Sequence, residues 1–156
     1  MIDINKIKIG MSAIHIINGM TGVVTGKSKT LNGTVQYAIT PSGFKPDGDP
    51  INTIWYDKGL LKSTEHNTCS ASQLAHTDII LGNTVKHVSG FKGVALERIE
   101  YLNGCVYIGV MPKTDNISIL PDMVYIPCQY LNIVKDKKLI TQSDDTGGPS
   151  SKAPTM

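Results

Sequence analysis

Apolar and polar side chains alternate in three short runs, Ile14 and Ile16, then Val35, Tyr37 and Ile39, and again Val106, Ile108 and Val110. A period of two is the signature of half-buried β-strands. The last two runs each follow a Leu-Asn-Gly triplet, Leu31-Asn32-Gly33 and Leu102-Asn103-Gly104. Asn-Gly between β-like runs is a strong hairpin signal, because both residues tolerate positive φ, so hairpin tips are expected at Asn32-Gly33 and Asn103-Gly104. Gly93, Leu102, Asn103, Gly104, Val106 and Pro112 each lie 71 positions after Gly22, Leu31, Asn32, Gly33, Val35 and Pro41. The same offset sets Gly90 over Gly19 and Val85 over Ile14, and a one-residue slip brings Gly82 over Gly10. The chain is a tandem repeat.

Each repeat continues through a loop with prolines into a short aromatic stretch, Ile54-Trp55-Tyr56 in one and Met123-Val124-Tyr125 in the other, then Leu60-Leu61 or Tyr130-Leu131. Five short strands within about 60 residues point to an all-β protein of two tandem SH3-like antiparallel barrels. The expected division is a first unit over 1–63, a polar linker over 64–79, a second unit over 80–142 and a flexible C-terminal arm over 143–156. The stretch from Ser63 to Ile80 reads as too polar for a strand and long enough for one helical turn around Ser72 to Ala75. The arm carries no large apolar residue before Met156 to offset the entropy of ordering it.

Composition narrows the function classes. Units this small bury a modest fraction of their surface, which favours oligomeric assembly or packing on a partner. The formal charge is +2 and Arg98 is the chain's one arginine, which disfavours nucleic acid as a partner. Cys69, Cys105 and Cys128 are odd in number and widely spaced, so neither a disulfide framework nor a zinc ribbon is written. No run approaches the roughly 18 apolar residues of a membrane span, and the N-terminus does not read as an export signal, so no membrane association is expected.

Candidate chemistry is sparse. His66, Cys69 and His76 match no zinc spacing, KPDGDP at Lys45 to Pro50 lacks the later ligands of a calcium loop, and no cofactor is expected. Lys135 to Lys138 reads as a solvated run, against a nucleic-acid patch as the alternative, and the acids Asp47, Asp49, Asp115, Asp122, Asp144 and Asp145 fall in loops or the tail. The 71-residue register puts His87 over Ile16 on the inward face and His15 over Lys86 on the outward one. His87 then reads as a hydrogen-bonded, partly buried side chain, and no nucleophile stands at a catalytic spacing from it. A non-enzymatic role follows. Candidate partner-binding residues are Met20 and Phe91, equivalent hydrophobes inside the Gly-x-x-Gly loops, as projecting knobs or as plugs of their own barrels. Trp55, Tyr56, Tyr125 and Tyr130 are candidates for an aromatic groove, against core packing as the alternative for Trp55.

LGNTVKHVSGFKGVALERIEYLNGCVYIGVMP, with Trp55-Tyr56-Asp57 and Gly147 to Pro149, resembles a motif of small tailed-bacteriophage proteins. The resemblance implies a virion structural protein that binds a capsid or tail lattice as a decoration or cement protein, present in the host bacterial cytoplasm during assembly. The second unit departs from the motif by having Tyr125-Ile126-Pro127 in place of the Trp-containing ending. Gly82-x-x-Val85 followed by Gly90-x-x-Gly93 also resembles the KOW type of SH3-like domain, which implies the alternative of a nucleic-acid-binding module in the infected cell.

Overall fold

The computed structural model describes residues 6–41, 45–48, 51–113 and 122–134. The tail from Ser143, the run Lys135 to Lys138, and Asp49, Asp115, Asp144 and Asp145 lie outside the described residues. The protein is all-β, a ten-stranded antiparallel sheet with no α-helix among the described residues. The strands are β1 (Met11–His15), β2 (Thr21–Thr30), β3 (Val35–Pro41), β4 (Ile54–Asp57) and β5 (Leu61–Asn67), then β6 (Thr84–His87), β7 (Lys92–Tyr101), β8 (Val106–Pro112), β9 (Val124–Pro127) and β10 (Leu131–Ile133). One 3-10 turn, Lys58–Leu60, joins β4 to β5, and another, Cys128–Tyr130, joins β9 to β10.

Two compact units divide the chain. The first comprises Met1–Lys29, Thr34–Leu74 and Ile99–Cys105, and its strands pair in the order β5-β1-β2-β3-β4. The second comprises Thr30–Gly33, Ala75–Arg98 and Val106–Met156, with the order β10-β6-β7-β8-β9. The two units share one pairing order, down to the 3-10 turn before the last strand of each. Neither ladder closes on itself, since β4, β5, β9 and β10 each pair on one side only.

The hairpin tips have a specific geometry. Gly33 N–H bonds to Thr30 O and Gly104 N–H to Tyr101 O, both at 2.9 Å. This centres each turn on Leu-Asn, one residue earlier than expected, and leaves the glycine after it at φ +92° or +90°. That is a turn followed by a left-handed residue, which only glycine adopts cheaply. The tip at 99–105 belongs to the first unit, where Leu102 N–H bonds to Thr25 O and Ser72 N–H to Leu102 O, each at 2.9 Å. The tip at Thr30–Gly33 belongs to the second, where Leu31 N–H bonds to Leu96 O at 2.8 Å.

The stretch expected to be too polar for a strand begins as one. β5 runs to Asn67, with Ser63 buried and Thr64 Oγ1 donating to Ser12 O of β1 at 3.3 Å. No helical turn forms around Ser72 to Ala75.

The first core gathers Ile7, Ala13, Val24, Tyr37, Ile39 and Leu61. Tyr37 is buried and its hydroxyl donates to Ile7 O at 3.3 Å. Burial pushes its phenol above the ordinary value of 10.0, and the Glu100 carboxylate pushes the same way. A raised folded pKa favours the neutral phenol, so this contribution to stability is complete below the unfolded pKa and is lost as pH rises beyond it. Urea midpoints should therefore fall above about pH 10, and Tyr37→Phe should remove that part of the fall.

Candidate functional site

The turn after the first strand of each unit is built around a histidine. His15 ends β1, its N–H donating to Met20 O at 2.8 Å and its carbonyl accepting from Gly19 N–H at 2.9 Å. Its Nδ1 accepts from the N–H groups of Ile17 at 3.2 Å and Asn18 at 3.3 Å. The ring tilts against Tyr56 with centroids 4.4 Å apart, and the residue is only 6% exposed. An accepting Nδ1 leaves the ring proton on Nε2. Ile16 N–H bonds to Leu60 O at 2.9 Å, tying the turn to the 3-10 turn.

His87 does the same work in the second unit. Its N–H donates to Phe91 O at 2.7 Å, its carbonyl accepts from Gly90 N–H at 2.8 Å, and its Nδ1 accepts from Ser89 N–H at 3.1 Å. Val88 N–H bonds to Tyr130 O at 3.1 Å, as Ile16 bonds to Leu60. Strand register agrees, since Ala13 lies opposite Gly22 and Val85 opposite Gly93. The first strand of the repeat thus carries an offset of 72, which makes His15 the counterpart of His87 and Ile16 the counterpart of Val88. The extra residue of the first turn, between His15 and Met20, restores 71 downstream.

This register overturns the expected placement of His15 and Ile16: His15 is buried and Ile16 points outward, while His87 is partly buried and hydrogen-bonded, as expected. The inward positions of β1 go to Ala13 and to a histidine whose nitrogen fastens the turn. The result is a set of exposed apolar side chains, Ile16 at 51% and Ile17 at 74% in the first unit, Val88 at 69% and Tyr130 at 50% in the second. Water-exposed apolar groups on a hydrogen-bonded turn supply burial energy to a partner and no bond-making chemistry.

Met20 is half-buried against the first core, and Phe91 is half-buried at the start of β7. Trp55 and Tyr56 lie on opposite faces of β4, facing Ala38 and Tyr37 across the ladder. Trp55 packs edge-on to Tyr101 with centroids 6.4 Å apart and lies over Gly26, while Tyr56 packs on His15 and the core. Tyr125 occupies the place of Trp55 in the second unit and donates its hydroxyl to Glu97 Oε1 at 2.8 Å. Where the first unit has Gly26, Ala38 and Trp55, the second has Glu97, Gly109 and Tyr125, and Tyr125 and Glu97 crowd Gly109 as Trp55 and Ala38 crowd Gly26. Tyr130 stands in the 3-10 turn, exposed. His66 and Cys69 are exposed, and His76 pairs with Asp78 at 3.1 Å. Among the described residues no group of three or more His, Cys, Asp or Glu side chains could hold a metal ion. Lys45 to Gly48 form a turn closed by Gly48 N–H to Lys45 O at 2.8 Å. No helix of the described residues is long and apolar enough to cross a membrane.

Sequence reasoning missed Ile16, Ile17, Val88 and the bracing role of His15. The pairing of Gly10 with Gly82 was the available signal. Both have positive φ, and both donate their N–H at 2.8 Å to equivalent carbonyls, Val24 O and Ala95 O. Compared with family models, curated proteins and solved structures, the chain matches none.

Proposed function

We propose that this protein is a non-enzymatic structural component of a tailed-phage virion, docking on a capsid or tail lattice as a decoration or cement protein. The observation that carries the binding role is the duplicated turn, with Ile16 and Val88 exposed at equivalent places on hydrogen-bonded frames. The phage setting rests on the motif resemblance. A lattice presents the same surface repeatedly, and a chain with two equivalent apolar turns can engage two copies of it, the second contact being intramolecular.

Attachment through apolar turns should survive moderate salt, because screening acts on exposed charge pairs. Copy number in purified particles, by mass spectrometry, tests the setting, and absence from particles removes it. The turns are tested by Ile16→Ser combined with Val88→Ser. Both side chains stand in solvent, so the melting temperature should hold within a degree or two. Retention on particles should fall by about tenfold or more per turn, since burying such a side chain is worth about 1.5–3 kcal/mol. Unchanged retention of the folded double variant would refute the turns as the docking site.

A further inference from the structure

The outer face of the second unit carries a row of lysines that its fold does not require. Lys86 and Lys92 lie directly opposite one another across β6 and β7. Lys113 N–H bonds to Lys92 O at 3.3 Å, which sets a third lysine beside the second. All three are exposed, and no carboxylate of the described residues pairs with them. On the far side of Lys86 the register partner in β10 is the neutral Asn132. Adjacent strands are about 4.8 Å apart, so the row spans roughly 10 Å. Like charges directly opposite on a sheet are destabilising. At the matching positions of the first unit the cross-strand pair is Ile14 and Thr21, so the same ladder forms without charge there.

We propose that this row, with Val88 beside it, binds an acidic polypeptide segment. Two residues after Lys86, just past the end of β6, comes the exposed Val88, whose N–H is held by Tyr130 O. A complementary segment therefore carries two or three carboxylates within about 10 Å and one apolar side chain. A nucleic-acid strand fits less well. The row holds no arginine, and three point charges fall short of the roughly 6–10 phosphate contacts of tight nucleic-acid binding. The inference concerns one unit and stands whether or not the duplicated turns dock on a lattice.

The test uses the full chain and a fluorescein-labelled dodecapeptide in which glutamate alternates with serine around one central leucine, with an oligothymidylate of equal length in parallel. The wild-type chain should bind the peptide more tightly than the oligonucleotide. Lys92→Glu should weaken peptide binding by about tenfold, since it replaces attraction by repulsion at the centre of the row. Its melting temperature should not fall, because the new carboxylate faces Lys86. Lys45→Glu, the same charge change on an exposed turn of the first unit, should leave affinity within about twofold. Equal loss in both variants would reduce the effect to net charge, and no peptide binding at all would end the proposal. Tighter oligonucleotide binding, steeply salt-dependent and abolished by Lys92→Glu, would overturn the acidic-polypeptide assignment in favour of a nucleic-acid contact.

Discussion

Gly93→Ala should cost about 3 kcal/mol, whereas Gly90→Ala, three residues earlier in the same motif, should cost about 1 kcal/mol. The two glycines answer different demands. A Cβ on Gly93 would sit on the carbonyl oxygen of Met111 and 2.6 Å from Val110 Cγ1. At the equivalent Gly22 it would sit 2.5 Å from Thr40 O and 2.7 Å from Ile39 Cγ2. The obstructing oxygens belong to the partner strand's backbone and cannot rotate aside, so the hairpin must open or shift register. Gly90 has φ +101° and nothing within 4 Å of an added Cβ, so alanine there meets only the backbone preference against that conformation. For a unit of this size the first change should lower the melting temperature by roughly 10–20 °C and the second by about 5 °C. Equal and small losses would mean that both glycines serve the turn alone.

Such reasons separate what could be read from the sequence from what could not. The β2–β3 and β7–β8 hairpins were legible because their turn residues recur at one spacing and each is followed by apolar residues at every second position, Val35, Tyr37 and Ile39 in β3 and Val106, Ile108 and Val110 in β8. β1 and β6 were misregistered because the slip falls inside a turn, where one more residue changes no strand and leaves no hydrophobic signature. Ile16 and Ile17 look like core residues by composition. Only the hydrogen bonds of His15 explain why the chain leaves the sheet there and exposes them. Trp55 and Tyr125 were legible as important aromatics, but their partners were not, because Gly26 with Ala38 and Glu97 with Gly109 meet them only once cross-strand register is known. β5 was hidden for another reason. Its Thr64 hydroxyl bonds to the β1 backbone at Ser12 O, and polar satisfaction leaves no periodic trace.

Ile39→Ala should lower stability by about 2–5 kcal/mol, the usual range for truncating a buried isoleucine. Ile39 is 1% exposed, lies opposite Val24 in β2, and covers Gly22 with its Cγ2. That contact makes a double substitution informative. If the side chain of Ile39 were what excludes a Cβ at position 22, removing it would relieve Gly22→Ala, and the double variant would be more stable than the sum of the single losses. Thr40 O, however, remains 2.5 Å from the added carbon whatever occupies position 39. The losses should therefore add within about 0.5 kcal/mol in a cycle read from urea unfolding. Rescue by 1 kcal/mol or more would show that β2 and β3 can slide apart by a few tenths of an ångström, and that side-chain packing, more than backbone approach, sets the hairpin's register. Additivity would place that control in the backbone, at the glycine each repeat carries in the same place.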